Sequence, residues 1–279
     1  MLGASPLLAP SPRPSIGPYW HVARRTFQRY TTYRSASFAG LFTNTVFAFL
    51  KAYILLAVLA QRLEIGSFDA VDVVTFTFVA EGLAITLGIF EGTGLGARIR
   101  TGDVVADLYR PLHFTGYWLA EDLGRAGFQL LVRGIPPVLI GACFFSLRLP
   151  GDITTWIAFA VSAVLATVAS FAYRFCVLLS GFWLLDNRGP WQISGVVMGF
   201  FSGFVVPVTF FPPALQHIAA LTPFPSMIQL PIEVFLGQRQ GLGPTLAVLG
   251  QQLLWTAVLF VLAEVIVRRA VRRVVVQGG

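Results

Sequence analysis

Six long stretches of this chain are almost entirely apolar, and polar residues gather in the shorter segments between them. A membrane-spanning helix needs about 20 mostly apolar residues to cross a hydrocarbon core about 30 Å thick. The pattern therefore predicts an all-α polytopic membrane protein with six transmembrane helices in a single domain over residues 19–267. The predicted spans cover residues 39–60, 71–91, 127–147, 154–184, 191–211 and 244–267. The helical pattern of the third extends back through Trp118, so its start lies near either Thr115 or residue 127.

The segment before the first span, residues 19–35, combines positive charge with apolar residues at helical spacing. The recurring residues are Tyr19, Ala23, Phe27, Tyr30 and Tyr33, and the cations are Arg24, Arg25 and Arg29. Such a helix lies in the headgroup plane, with its rings in the lipid and its guanidinium groups toward anionic headgroups. We predict an interfacial helix that contacts membrane lipid through Arg24, Arg25, Phe27 and Arg29. The alternative is an ordinary solvated helix that leads into the first span.

The segment from Phe204 to Gly243 stays apolar but is broken by proline. Its prolines are Pro207, Pro212, Pro213, Pro223, Pro225 and Pro231. Proline interrupts a continuous helix, and irregular backbone at membrane depth must be covered by protein or line a water-filled cavity. We predict a re-entrant element of short helices that enters from the outer face before the last span. Within it, Pro207, Phe210 and Phe211 either form an outer gate or pack as part of a lid.

Composition and charge fit a membrane protein and orient it. Apolar residues make up 56% of the 279 residues and charged residues only 12%, whereas about 25% of residues are charged in a typical soluble domain. Arginines cluster before the first span, between spans two and three and after the last span, and the loops on the other side hold only Arg62, Arg148 and Arg239. The positive-inside rule then places both termini in the cytoplasm of a multi-pass protein of the cell membrane. The net charge of +7 therefore reflects topology and not a nucleic-acid partner.

The two ends of the sequence flank this domain. Residues 1–18 contain five prolines and no apolar signal-peptide core, so they are predicted to be a disordered tail without a cleavable signal peptide. Residues 268–279 include Arg268, Arg269, Arg272 and Arg273 and are predicted to be a basic cytoplasmic tail.

Two opposite charges lie within the predicted first hairpin. Lys51 is near the middle of span one and Glu81 near the middle of span two, at about the same depth because the hairpin turns near Gly66. An unpaired charge there costs about 2.5–3.5 kcal/mol on insertion scales, so both side chains are expected to face the protein interior. They either form a structural ion pair that locks the hairpin or line a polar translocation path.

Charges nearer the inner ends of the spans are expected to have structural roles. Arg133 and Arg174 are expected to extend toward the cytoplasmic interface, and Glu264 to pair with Arg268 one helical turn away. The sequence E-D-L-G-R of residues 121–125 is only loosely similar to the acidic motif of CAAX-type intramembrane proteases, because its arginine is one position too close.

The motifs of an ATPase or a metalloenzyme do not occur in the sequence. A Walker A loop requires a lysine next to Ser or Thr, and the only lysine, Lys51, precedes Ala52 inside a span. The three histidines are scattered without an H-E-x-x-H motif, and Cys143 and Cys176 lie in spans as small apolar fillers. We therefore expect this chain to bind no metal and no cofactor.

The connection between spans two and three, I-R-T-G-D-V-V-A-D-L-Y-R-P from Ile99 to Pro111, resembles the inner loop of ABC-2-type (type V) exporter permeases of the prokaryotic branch. The lead-in helix, the six spans and the proline-rich element match the layout of that family over nearly the whole chain. The resemblance implies a transport subunit that pairs with a second permease subunit, identical or paralogous, and with two ABC ATPase subunits that hold ATP and Mg²⁺. It also implies that the inner loop and lead-in helix couple to the ATPase and that substrate passes along spans one, two and five.

The residues of the loop 92–114 support a coupling role independently. Its glycines permit a sharp turn after span two, and Val104, Val105, Leu108 and Tyr109 then give a short apolar face. A short amphipathic helix with a charged rim suits a groove on a partner domain. The alternative is a helix on the membrane surface, with Gly102 and Pro111 acting only as caps. The predicted coupling residues are Arg98, Arg100, Gly102, Asp103, Asp107, Leu108, Arg110 and Pro111.

We therefore expect the permease half of an ATP-driven exporter that moves an unidentified amphipathic substrate outward by alternating access. The alternative is a self-contained secondary transporter or an intramembrane enzyme. Secondary transporters commonly carry an internal repeat, and residues 39–147 share no motif with residues 154–267. An enzyme needs several titratable groups at one depth, and beyond Lys51 and Glu81 the sequence offers none. The charges in spans one and two argue against a substrate that is purely lipid.

Overall fold

The computed structural model describes residues 16–60, 68–184, 186–239 and 241–277, and these residues form helices joined by loops. The α-helices are α1 (Ile16–Thr31), α2 (Arg34–Leu59), α3 (Ala70–Leu87), α4 (Leu95–Thr101), α5 (Val104–Leu108), α6 (Phe114–Gln129), α7 (Ile135–Phe144), α8 (Ile153–Leu179), α9 (Gly181–Leu184), α10 (Arg188–Phe201), α11 (Pro213–Ala220), α12 (Gln229–Phe235) and α13 (Leu242–Gln277). A π-helical turn, Leu130–Gly134, joins α6 to α7, and 3-10 turns cover Val208–Phe210 and Phe224–Ser226. The all-α class is confirmed. Arg62, Gly66 and residues 1–15 of the predicted tail lie outside the described residues.

The helical segments agree with a multi-pass membrane protein. Five of them are long and apolar enough to cross a bilayer: Ser35–Leu59, Ala70–Leu87, Phe114–Phe144, Ile153–Leu184 and Leu242–Arg272. A sixth is added if α11 and the helical segment Phe224–Phe235, which meet at an angle of 75°, are counted as one span. The described chain therefore has five or six candidate spans. The third begins at Phe114, the earlier of its two predicted starts.

The predicted fifth span is wrong in its length. Residues 191–211 do not form one helix, because α10 has 14 residues and ends at Phe201. At 1.5 Å per residue it is about 21 Å long, too short to cross a hydrocarbon core alone. The break follows from Gly203, which has a left-handed φ of 88°. Non-glycine residues rarely adopt that backbone, and a Cβ there would also meet the side chain of Gln229.

Three other helix ends differ from the prediction. The second span ends at Leu87 and not at residue 91, because Gly88 takes a left-handed φ of 67° as the C-cap of α3. The last helix has 36 residues and continues to Gln277, so the predicted tail is helical through that residue. At the other end, α1 begins at Ile16 and includes the last residues of the predicted disordered tail.

The third span contains a π-helical turn, Leu130–Gly134. Pro136 and Pro137 follow that turn directly, and proline can neither donate a backbone hydrogen bond nor tolerate the carbonyl four residues earlier. In a π-helical turn the backbone hydrogen bonds connect residues five apart instead of four, and this change relieves both conflicts. Gly134 in this turn lies against α3, because a Cβ added at Gly82 would be only 2.7 Å from the Gly134 carbonyl oxygen.

The bundle is arranged around α3. Within the apolar 18-residue stretch of each candidate span, 83% of the residues are buried in α3 but only 22% in α2 and in α13. α2 and α13 are therefore peripheral and present wide apolar faces outward. Because successive spans alternate in direction, α4, α5, the start of α6 and the last turns of α13 share one end of the bundle, which we call the α4 end. The opposite end carries α11, and we call it the α11 end.

Candidate functional site

The connection between α3 and α6 is a small, rigid projection at the α4 end. Gly102 joins α4 to α5 with a left-handed φ of 81°, a conformation that favours glycine. The buried Asp107 accepts a hydrogen bond from Arg98 on α4 through Oδ2, and Arg110 Nη2 lies 2.9 Å from its other oxygen as an ion pair. The hydrogen bond between Arg98 and Asp107 raises the pKa of the Arg98 guanidinium above its ordinary value. One carboxylate thus fixes α4 against α5.

The outward surface of this projection carries two apolar residues among polar ones. Val105 is exposed and Tyr109 is 69% exposed, whereas Val104 is buried and Leu108 half-buried. The four-residue apolar face expected from the sequence is therefore wrong, since two of its members pack inward. Exposed polar or small residues surround the outward pair: Arg100, Gly102, Asp103 and Pro111.

The projection rests on a tightly packed base. Val104 packs in one apolar cluster with Leu95, Phe114 and Ala270, which comes from the last turns of α13. Thr115 Oγ1 donates to Glu264 Oε1 at 2.6 Å, and His113 Nε2 lies 3.6 Å from the other oxygen of that carboxylate. Glu264 therefore ties α13 to the start of α6, and its expected pairing with Arg268 is wrong.

The lead-in helix α1 packs lengthwise on α6. The Phe27 and Tyr30 rings each lie 5.7 Å from the Phe128 ring, and the backbone N–H of His113 donates to Tyr19 Oη at 3.1 Å. The predicted placement of the Phe27 and Tyr30 rings in lipid is wrong, because both pack on α6. Arg24 and Arg25 are exposed, while Arg29 Nη2 lies 3.0 Å from Glu121 Oε1.

A chain of alternating charges crosses the α4 half of the bundle, and sequence analysis missed it. Asp122, Arg125 and Arg174 are buried, and Glu91 and Arg133 are half-buried. Arg174 Nη2 lies 2.6 Å from Asp122 Oδ2, and Arg125 Nε lies 2.9 Å from Asp122 Oδ1. Arg125 and Arg133 each lie 3.3 Å from Glu91. The side chain of Arg174 is only 1% exposed, so its expected extension to the interface is wrong. The five residues link α8, α6, the turn after α3 and the π-helical turn.

Arg125 also caps α3. Its Nη1 donates to the Ile85 carbonyl at 3.2 Å and its Nη2 to the Thr86 carbonyl at 2.9 Å. The last carbonyls of a helix lack intrahelical partners and carry partial negative charge, which a guanidinium satisfies. Gln129 Nε2 also donates to Glu91 at 2.9 Å. The only sequence signal for this site was the i,i+3 pair of Asp122 and Arg125.

A second polar site joins Lys51 and Glu81. Lys51 Nζ lies 2.7 Å from Glu81 Oε1 and donates to the Phe204 carbonyl at 3.2 Å. The same nitrogen lies 3.7 Å from the centroid of the Phe204 ring. The two charges thus form a pair, which joins α2 and α3 to the loop after α10. The Phe204 contacts were not visible in the sequence.

The sequence of this chain matches a known protein family over most of its length. The sequence model of a family described as "ABC-2 family transporter protein" matches residues 42–278. The chain belongs to the ABC-2 transporter family. No curated protein sequence matches it significantly. The resemblance of the loop from Ile99 to Pro111 to ABC-2 permeases is thereby confirmed for the chain as a whole, and the protein is a membrane component of transport.

An apolar cavity of about 240 Å³ opens in this ABC-2 permease between the turn after α3 and α10. Its lining residues are Ile89, Phe90, Trp191, Gln192, Gly195 and Val196. The Phe90 ring is largely exposed, and its centroid lies 5.9 Å from that of Phe204. Two aromatic rings, Phe90 and Phe204, therefore connect the cavity to Lys51.

The predicted gate residues of the permease are packed in this structure. The Phe211 ring stacks on Phe200 with centroids 4.7 Å apart, and the Phe210 ring lies 6.0 Å from Phe68. Pro207 precedes the 3-10 turn Val208–Phe210. The outer gate and the lid both stay predictions for these residues.

Proposed function

We propose that this chain is the permease subunit of an ATP-driven exporter of the cell membrane, with six membrane passages and both termini in the cytoplasm. Membership of the ABC-2 family supports the transport role. The exposed arginines at the α4 end, among them Arg24, Arg25, Arg100 and Arg188, support its cytoplasmic placement. In this proposal α10 and the bent helical element after it together form one membrane passage, the fifth in chain order, which brings the total to six. Helix α1 lies at the inner interface, with Arg24 and Arg25 toward anionic lipid.

The projection formed by α4 and α5 is the proposed docking element for a separate ABC ATPase, which holds ATP and Mg²⁺. This projection carries the proposal, because Val105 and Tyr109 are exposed on a base that is otherwise tightly packed. Aromatic residues that enter a partner pocket contribute strongly to binding. The arginines around them complement an acidic rim.

Movement of the projection would be transmitted through rigid contacts. The loop after α5 is short, so displacement of the projection moves α6 and, with it, α1. The buried pair of Asp122 and Arg174 joins α6 to α8, and Arg125 joins α6 to the end of α3. In the proposed cycle these helices rock as one unit and convert an inward-open cavity to an outward-open one, with Pro207, Phe210 and Phe211 as the outer gate.

The outward face of α2 is the proposed contact with a second permease subunit, identical or paralogous. It presents exposed apolar side chains along its length: Phe38, Phe42, Phe47, Leu50, Tyr53, Ile54 and Val58. Lys51, at 19% exposed, opens onto the same side of the molecule. A substrate path at the subunit interface would therefore pass the Lys51–Glu81 pair.

Co-purification tests the docking element. We expect the tagged chain, solubilised gently from its membrane, to elute with an ABC ATPase and a second permease. Tyr109→Ala should weaken the ATPase interaction about tenfold or more, as truncation of an aromatic interface anchor does. Tyr33→Ala is the matched control, because Tyr33 is a tyrosine of similar exposure (66%) at the same end. A chain that elutes without any ATPase under mild extraction and ATP trapping would refute the proposal.

A further inference from the structure

Three acceptors of positive charge converge on the Lys51 ammonium. They are the Glu81 carboxylate, the Phe204 carbonyl oxygen and the face of the Phe204 ring, at 2.7, 3.2 and 3.7 Å. A lysine ammonium has three N–H donors and no acceptor, and this geometry offers it two oxygen atoms and one aromatic face. An aromatic face within about 6 Å attracts a cation, and more strongly when water is excluded. The Glu81 side chain is only 5% exposed.

The same three groups would suit the ammonium of another molecule. The acceptors belong to α3 and to the loop after α10, whereas the cation comes from α2. Only 22% of the residues in the apolar stretch of α2 are buried, so this helix is loosely held by its neighbours. Lys51 also carries its charge on a flexible four-carbon side chain. The cation can therefore leave while the acceptors stay, and Glu81 would then be a buried carboxylate without a counter-charge, which is costly.

An apolar cavity is connected to these acceptors through aromatic rings. The cavity lined by Phe90 and Trp191 reaches Phe204 through the Phe90 ring. The apolar portion of an amine held at Glu81 would therefore lie against the Phe204 ring, which in turn contacts the Phe90 ring of the cavity. An anionic headgroup would instead face the carboxylate and the carbonyl oxygen, and both would repel it.

We propose that Glu81 and Phe204 form a recognition site for the ammonium group of an amphipathic amine, and that Lys51 occupies this site until the substrate displaces it. The inference rests on the proposed function, since it names the substrate class of the exporter. Lys51 acts as a tethered competitor, whose high local concentration weakens binding of a free amine. Removing its charge without changing its length much should therefore tighten amine binding.

Binding of a matched probe pair tests this. The full chain in phosphatidylcholine nanodiscs is titrated with dansylcadaverine, a fluorescent primary amine, and with its uncharged N-acetyl derivative, and anisotropy is measured against empty nanodiscs. We expect the amine to bind in preference to the acetylated probe. Lys51→Met should lower the Kd of the amine about tenfold, which corresponds to about 1.4 kcal/mol. The double variant Lys51→Met with Glu81→Gln should lose this gain.

Thermal unfolding shows whether each variant is folded. Should Lys51→Met not fold, Glu81→Gln in the otherwise native chain tests the same acceptor and should abolish the preference for the amine. Equal binding of the two probes, or an unchanged Kd in folded Lys51→Met, would overturn the assignment. Because the assay needs no ATPase, such a result leaves the co-purification test of the exporter proposal intact.

Discussion

Asp122 balances two arginines at once, since Arg125 and Arg174 each donate to a different oxygen of its carboxylate. All three side chains are almost fully buried. Such a cluster contributes little net stability when complete, because desolvation offsets the attraction between the charges. Losing Asp122 is different, because Arg174 then stays buried without a carboxylate partner. At the scale of residues, the stability of this permease is therefore expected to depend strongly on Asp122.

We predict that Asp122→Ala destabilises the protein by about 3–5 kcal/mol, the cost of breaking a buried ion pair by removing one partner. The neighbouring Glu121→Ala is the matched control. Glu121 pairs with Arg29, which is 60% exposed, and surface pairs contribute about 0–1 kcal/mol. Denaturant or thermal unfolding of the purified variants measures the difference.

A second substitution separates charge balance from packing. Arg125 keeps its contact with Glu91 when Asp122 is removed, whereas Arg174 has Asp122 as its carboxylate partner. Adding Arg174→Met to Asp122→Ala therefore removes the unpaired cation and should restore part of the lost stability. If Asp122→Ala unfolds like Glu121→Ala, the buried charge chain does not hold the helices together.

Most of these partners could not be predicted from the sequence. Lys51 and Glu81 were detectable because both lie near the middle of predicted spans at about the same depth. Arg174 and Asp122 come from different spans and are separated by 52 residues, so no local spacing connects them. Asp122 also fell before one of the two predicted starts of the third span, where an acidic residue needs no buried partner.

At the scale of elements, α1 and α6 approach so closely that glycine is required at one point. A Cβ at Gly124 would overlap the backbone carbonyl of Ala23, which cannot move without shifting α1. A Cβ at Gly127 would lie 3.8 Å from the Phe27 ring, an ordinary contact. The two glycines lie three residues apart on α6, but only Gly127 has room for a Cβ.

We therefore predict opposite effects for two alanine substitutions. In a helix interior, alanine is about 1 kcal/mol more favourable than glycine, so Gly127→Ala should be neutral or slightly stabilising. Gly124→Ala should separate α1 from α6 and expose the backbone near Arg24 and Arg25 to trypsin. Rates of limited proteolysis, followed by mass spectrometry of the cleavage sites, distinguish the two. Equal protection in both variants would show that α1 is not held by this contact.

Element types were predictable and several element ends were not. Apolar runs of about 20 residues identified α2, α3, α8 and α13, because bilayer thickness fixes that length. The break after Phe201 depends on the backbone of Gly203 and on its contact with Gln229, neither of which hydropathy reports. The apolar face of α1 was recognised correctly, but a helix face suited to lipid is equally suited to another helix.

At the scale of the whole molecule, arginine separates the two ends of the bundle. In the described chain, exposed or half-exposed arginines outside the spans crowd the α4 end, and Arg148 and Arg239 lie toward the α11 end. Those two are also neutralised, since Arg148 pairs with Asp69 and Asp72, and Arg239 with Glu233. An end with excess arginine stays in the cytoplasm during insertion, so the α4 end should face inward.

Cysteine labelling checks this orientation. In a background with Cys143 and Cys176 replaced by alanine, we place single cysteines at Gly151, on the loop between α7 and α8, and at His21 on α1, both exposed positions. A membrane-impermeant maleimide should label Gly151→Cys in intact cells, and His21→Cys only after permeabilisation. The reverse pattern would put α4 and α5 outside the cell, where no ATP-driven partner could reach them, and it would refute the exporter proposal together with the topology.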